Sequence, residues 1–320
     1  MRPLRYHAGQ LAVQAEANTT HVADKLAGWV GPVERYAAGA DLIVFAVTAS
    51  DGTLAHVAVS GDPPLADPEA PGVLRIPDAA AAVILDTGAA SASGSSAAGV
   101  AVGGLVISLA RAERARINGT MLRDEEGGML VAEEEFTLCR KYLAPSIAVA
   151  GGLHVGPVAV APIEIDDPWV AQVIAAAETA FLASRSPDGA PDVAHRGGPP
   201  GFLVLEATTA TVSWTEFVGD GVFKSAGNVR ATGIATLLVP DLASGDAVEL
   251  EGSAAYTNVL TRFLPREDAL MQHAERFPTQ GRMVLTVRSA RRLRSVIAPR
   301  RRIDGDTVTS RDHPEEQAPR

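Results

Sequence analysis

Apolar and β-branched runs broken by turn residues dominate the chain, and they come in matched pairs. Residues 42–48 and 54–59 flank Ser50-Asp51-Gly52, a turn suited to a β-hairpin. Residues 181–184 and 193–195 flank Pro187-Asp188-Gly189 in the same way. A Gly/Pro knot follows each predicted hairpin: Ser60-Gly61-Asp62-Pro63-Pro64 in the first half, Arg196-Gly197-Gly198-Pro199-Pro200 in the second. Each half then carries an apolar strand (102–109 and 234–240) and a strand ending in glycine (115–119 and 248–252). The pattern is an internal repeat with a period of about 140 residues.

Helical patterns are fewer. Asp167 reads as the N-cap, and Pro168 as the first turn, of a helix leading into 170–180, ahead of the second set of strands. Residues 20–29 are expected to precede the first set in the same way, and 265–274 to form a third helix. Residues 83–109 are apolar, but Asp86 and a Gly/Ser/Ala-rich centre interrupt them. They read as two strands around a loop, not a membrane span. Residues 151–162 link the repeats, partly as a strand. The tail after Pro299 opens with Arg300-Arg301-Arg302, which reads as solvated, and 303–320 is expected to be disordered. Many short strands and few helices, twice over, predict a mainly β protein of two tandem small β-barrels, covering 1–150 and 151–302.

Composition narrows the class of partner. The 320 residues are 47% hydrophobic and 21% charged, enough to bury one large core or two ordinary ones. Aromatic residues are 5%, so Ala and Val must build much of the interior. The formal net charge of −10 argues against nucleic acid or an anionic membrane as the main partner. Cys139 is the single cysteine, so neither an intrachain disulfide nor a Cys-based metal cluster can form; no metal site is expected. One thiol and an N-terminus without an apolar h-region fit a cytoplasmic location.

Against that acidic background, local cations stand out. His195-Arg196-Gly197-Gly198-Pro199-Pro200-Gly201-Phe202 puts a guanidinium beside backbone free to take unusual dihedrals. Phe223-Lys224-Ser225-Ala226-Gly227-Asn228 adds an ammonium, a hydroxyl and an amide. Cations and small donors beside unencumbered backbone suit a phosphate. Taken singly, Arg196 reads equally well as an ion-pair partner, Lys224 as a solvated lysine and Asn228 as a turn or cap residue. Their ordered co-occurrence makes the site. In the first repeat Ser60 takes the place of Arg196 and Asp62 that of Gly198, and Lys224 has no clear counterpart. That repeat is therefore expected to have lost its own site, with Arg114 and Arg116 either reaching across to a ligand held by the other repeat or solvated and paired.

These residues carry a resemblance. The second half resembles the FMN-binding split barrels related to pyridoxamine 5'-phosphate oxidase, in the branch described as predicted flavin-nucleotide-binding proteins. It does so in FLASRSPDGAPDVAHRGGPPGF, in WTEFVGDGVFKSAGN (214–228) and in VELEGSA (248–254). The first half resembles that branch's preceding domain in HAGQLAVQ (7–14), ARINGT (115–120) and FTLCRKYL (136–143). Leu138, Arg140 and Asp220 depart from the branch's usual Asn, Pro and Asn. The resemblance implies two split barrels and an FMN-dependent oxidoreductase acting on a small organic substrate. It implies Arg196, Gly197, Gly198, Lys224, Ser225 and Asn228 as cofactor contacts, and His195 is a secondary candidate for acid–base chemistry. It also implies pairing of barrels, as a homodimer or as an intrachain pseudo-dimer. The alternatives on the same fold are deazaflavin, heme held by one of His7, His56, His154, His195 or His273, or a flavin-binding sensor without turnover. A reactive Cys139 beside Lys141 is weighed against a plain buried cysteine.

Overall fold

The structure is a computed structural model and describes residues 4–21, 34–89, 99–138, 140–219, 221–258 and 279–303. The expected helices at 20–29 and 265–274, Cys139, Asp220, His273 and the tail from 304 lie wholly or mostly outside the described residues. The first half contains strands β1 (Leu42–Thr48), β2 (Leu54–Ser60), β3 (Asp67–Ala70), β4 (Val73–Ile76), β5 (Val100–Ser108), β6 (Glu113–Asp124) and β7 (Gly127–Thr137). Three short strands follow: β8 (Ser146–Ala148), β9 (His154–Gly156) and β10 (Ala159–Pro162). The second half contains β11 (Thr179–Arg185), β12 (Pro191–Gly197), β13 (Leu203–Glu206), β14 (Thr211–Phe217), β15 (Ile234–Pro240), β16 (Ala247–Asn258), β17 (Thr279–Arg294) and β18 (Arg300–Arg302).

The first sheet runs β3-β4-β7-β6-β5-β1-β2-β9, and the second runs β13-β14-β17-β16-β15-β11-β12, with β10 beside β17. Seven strands thus recur in one order, and every pairing is antiparallel. The protein is mainly β with a few helices, and a sheet of the same strand order recurs in each half. The strands expected to end at Gly119 and Gly252 instead bulge there and continue. A Cβ at either glycine would sit 2.0 Å from a carbonyl oxygen of the partner strand, of Val131 or Thr286, so only glycine lets the ladder shift register.

Register also corrects the match between repeats. Both hairpins close with the same spacing, Thr48 opposite Leu54 and Arg185 opposite Pro191. Leu42 faces Ser60, and Thr179 faces Gly197. Ser60 is therefore the counterpart of Gly197, and the counterpart of Arg196 is the buried Val59. A one-residue offset moves every side chain to the other face of a strand.

The α-helices given in full by the described residues are Ala8–Glu16, Glu34–Ala37, Asp78–Ala89, Pro168–Ala176 and Lys224–Thr232. Asp167 caps its helix as expected, accepting from the Trp169 amide at 2.8 Å. Residues 83–89 are helical where a strand was expected, because their small apolar side chains pack against the first sheet's core through Ile84. No described helix is long and apolar enough to cross a membrane.

Each sheet encloses its own core, around Phe45, Ile117 and Leu130 in the first and Trp214, Leu237 and Met283 in the second. A third cluster joins them. Leu42, Val44, Leu105 and Ile107 of the first sheet pack with Phe181, Val193, Leu238 and Leu293 of the second. Arg300, expected in a solvated tail, lies inside: β18 pairs with β8, and the guanidinium meets Asp41 at 3.0 Å with its side chain fully buried. Asp41 also accepts from the Leu109 and Ala110 amides. We expect Asp41→Ala to lower unfolding stability by about 3–5 kcal/mol in urea melts, because it strands a buried cation. Glu178→Gln, at the exposed Arg302 pair, should cost less than about 1 kcal/mol.

Candidate functional site

The segment Phe223–Asn228 begins a helix. Phe223 precedes it at φ 53°, a left-handed conformation that costs a bulky residue of order 1–3 kcal/mol. Gly227 lets the N-terminal helix Ala8–Glu16 approach: a Cβ there would sit 2.4 Å from the Gln10 Cα. Asn228 is spent on the same contact. Its amide oxygen meets His7 Nε2 at 2.8 Å and Gln10 Nε2 at 3.0 Å, and its nitrogen donates to Ser184. His7 in turn caps the N-terminal helix, and Gln14 donates to the Val222 carbonyl. The His7-to-Gln14 signature thus clamps the helix that presents Lys224 and Ser225.

Those two side chains meet the first repeat. Lys224 Nζ lies 2.6 Å from both Glu134 oxygens on β7. A lysine in the first turn opposes the helix dipole, so the carboxylate is what holds it there. Asn118 on β6 donates to Glu134 at 2.7 Å and to Asp192 on β12 at 3.0 Å. Ser225 donates to Asp192 at 3.1 Å, and Arg116 on β6 meets it at 3.1 Å. Burial alone would raise the Asp192 pKa. The charges of Arg116 and Lys224, with the Asn118 and Ser225 hydrogen bonds, outweigh it and hold the carboxyl below its usual range.

Next along β12, His195 Nδ1 lies 3.0 Å from Arg114 Nη1. A guanidinium can only donate, so Nδ1 accepts and the imidazole proton resides on Nε2. Burial, then the charges of Arg114 and Arg196, holds the His195 pKa well below 6.5, so the ring is neutral. Arg196, on the opposite face, donates to Glu216 at 2.6 Å and to the His195 carbonyl. Trp214 Nε1 shares the Glu216 oxygen.

Arg114, Arg116, His195, Arg196, Gly197, Glu216, Lys224 and Ser225 line one cleft, closed further by Tyr142, Phe202 and Phe217. Four of the six expected cofactor contacts are therefore gathered. Gly198 and Asn228 are not among the lining residues: Gly198 is packed against the Phe202 and Phe217 rings, and Asn228 holds the N-terminal helix. Arg114 and Arg116 come from the first repeat and are buried, not solvated. Arg116, Arg196 and Lys224 are paired with Asp192, Glu216 and Glu134. Two N–H groups of the lining residues, Arg116 Nε and His195 Nε2, are buried with no acceptor among the described residues. A buried donor without a partner costs about 1–3 kcal/mol, and a ligand oxygen would satisfy it. The donor set therefore fits an oxygen-rich anion such as a flavin phosphate.

The corresponding crevice in the first repeat is closed. β9 pairs with β2, His154 opposite Ser60, whereas the described second sheet ends at β12. Ser60 accepts from the Ala298 amide at 2.8 Å, and Asp62 accepts from Gly152. Sequence reasoning missed the carboxylates Asp192, Glu134 and Glu216, whose cationic partners lie between 20 and 90 residues away. No local signal pairs them.

No protein-family model matches the chain, and no curated protein matches it. Solved structures do. HupZ of Group A Streptococcus is 16% identical over 37% of this chain and 86% of its own, with a TM-score of 0.29. A Clostridium acetobutylicum protein related to general stress protein 26, of the pyridoxinephosphate oxidase family, is 9% identical over 42% and 92%, TM-score 0.30. An FAD-binding protein of Mesorhizobium loti is 16% identical over 42% and 97%, TM-score 0.29.

The depressed His195 pKa has a sign. The unfolded ring takes a proton near pH 6.5 and the folded ring does not, so stability falls as pH drops below about 6.5, by up to about 1.4 kcal/mol per pH unit. Urea melts between pH 7 and 5 should show this slope, reduced in His195→Gln. Nitrogen NMR should find His195 neutral, with its proton on Nε2, at pH 6.

Proposed function

We propose that the cleft between the two repeats binds FMN and that the protein is an FMN-dependent oxidoreductase acting on a small organic substrate. One observation carries this reading: cations from both repeats converge on a single cleft that also holds two buried N–H groups without acceptors. The flavin ring supplies the electron transfer when bound, so the protein needs to orient it and exclude water rather than provide a nucleophile or a metal.

Arg196 and Lys224 hold the phosphate, with Ser225 and the Gly197 backbone beside them. Arg116 Nε and His195 Nε2 donate to ligand oxygens. His195, neutral and fixed by Arg114, serves as a hydrogen-bond donor. Glu134 and Glu216 keep the cations in place before the ligand arrives. The cleft has a volume of about 100 Å³, well under the roughly 300 Å³ of a small-molecule pocket, so it takes the phosphate end of the ligand. Because one chain supplies both walls, the barrels pair within the chain as a pseudo-dimer. In this reading the 151–302 barrel is the cofactor-holding one and the 1–150 barrel its partner.

Heme fits less well. A ring nitrogen that carries its proton has no lone pair for iron, which removes His195 Nε2 in this tautomer. His7 spends both ring nitrogens, on the Gly9 amide and on Asn228, and neither it nor His56 nor His154 lines the cleft.

The purified protein should be yellow and release FMN on denaturation, read by its visible spectrum and by mass. A Soret band, or a colourless protein that ignores added FMN, would replace this reading. Arg196→Ala and Lys224→Ala should each weaken FMN binding by about 1–3 kcal/mol, roughly five- to 150-fold. Wild-type affinity in both would move the site elsewhere. Bound flavin that neither nicotinamide nor a substrate panel reduces would indicate a sensor.

A further inference from the structure

The cleft wall formed by Gly221, Val222, Lys224 and Ser225 is backed by the N-terminal segment, the helix Ala8–Glu16 and the turn after it. Gln14 Nε2 donates to the Val222 carbonyl at 2.8 Å, and Thr19 Oγ1 to the Gly221 carbonyl at 3.0 Å. Gly9 lets the two helices touch, since a Cβ there would sit 2.6 Å from the Gly227 carbonyl oxygen. The left-handed turn at Phe223 lies among these contacts, so the docked helix helps hold a strained segment in place.

His7 fastens that helix. The Gly9 amide can only donate, so His7 Nδ1 accepts from it at 3.1 Å. The ring proton is then on Nε2, which donates to Asn228 Oδ1 at 2.8 Å. The neutral ring thus uses both nitrogens, one to cap its own helix and one to tie it to the Lys224–Thr232 helix. A proton added at Nδ1 would meet the Gly9 N–H, donor against donor, and the cap would be lost. Once the cap opens, a carboxylate stands ready for the cation. Asp188, at the tip of the β11–β12 hairpin, has its pKa lowered chiefly by the Ser186 hydroxyl and in part by a protonated His7, so the two charges attract. The cations of the facing helix are already taken, Lys224 by Glu134 and Arg230 by Glu16 of the N-terminal helix. His7 therefore has two sets of partners: Gly9 and Asn228 when neutral, Asp188 when protonated.

We propose that His7 is a proton-operated latch. Neutral, it pins the N-terminal helix behind the cleft; protonated, it releases the helix and loosens the wall that presents Lys224 and Ser225. The latched form holds one proton fewer, so falling pH favours release. The latch stands apart from the flavin reading, and its control of cofactor binding rests on that reading.

Amide hydrogen exchange on the full chain reads the latch. Between about pH 7.5 and 5, a span that brackets imidazole titration, protection factors for the Ala8–Glu16 helix should fall at least about fivefold relative to those of β16, the scale of a lost N-cap. His7→Asn keeps an oxygen acceptor for the Gly9 amide but has nothing to titrate there, so its helix protection relative to β16 should be the same at both pH values. Asp188→Asn removes the charge that favours the protonated ring and should move the fall to lower pH. Saturating FMN, by favouring the latched wall, should restore helix protection at the acid end at least about fivefold. Wild-type protection that does not fall, an equal fall in His7→Asn, or an unmoved fall in Asp188→Asn would overturn the latch. Bound FMN that leaves acid-end protection unchanged would overturn its control of the cleft. A working latch in a protein that binds no FMN would remove the flavin reading alone.

Discussion

The cleft depends on one buried carboxylate. Asp192 sits on a strand of the second sheet, yet Arg116 and Asn118 of the first sheet donate to it. Ser225 reaches it from the helix that also carries Lys224. A carboxylate this deep stays ionised only because the surrounding donors and cations outweigh its desolvation. Gly103 makes the approach possible, since a Cβ there would lie 2.5 Å from the Asp192 Cα. The two repeats are thereby locked in one register, and Arg116, Lys224 and Arg196 take their positions from that contact or from Glu134 and Glu216.

The two repeats share a scaffold and differ in how it is finished. Strand order, hairpin spacing and the glycine bulges recur. The difference lies at one edge. β9 continues the first sheet past β2 and, with the segment around Ala298, covers the crevice. Among the described residues β12 has no such strand, and His195 and Arg196 face a cleft instead. Val59 in the place of Arg196 suits a covered edge, because an arginine there would be buried without a carboxylate.

Hairpins, repeat period and the capped helix at Asp167 were legible because their signals are local: turn residues, alternation and a cap within a few positions. Residues 83–89 were misread because a short run of small apolar residues has no period that separates helix from strand. Arg300 was misread because nothing nearby in sequence marks its partner, Asp41. The motif around Lys224 was visible as a motif, but its parts divide in space. Lys224 and Ser225 line the cleft, whereas Gly227 and Asn228 dock the N-terminal helix.

Turn residues and apolar runs alone mark a β-rich, duplicated protein with cations near 196 and 224. Packing adds that two arginines of the first repeat join them, that carboxylates hold Arg116, Arg196 and Lys224, that Arg114 donates to a neutral His195, and that one crevice is open while its sibling is covered. The reason is physical. Periodicity and turn chemistry act over a few residues and can be read along the chain. The charge state of a buried group depends on which distant side chains surround it, and that is fixed by packing alone.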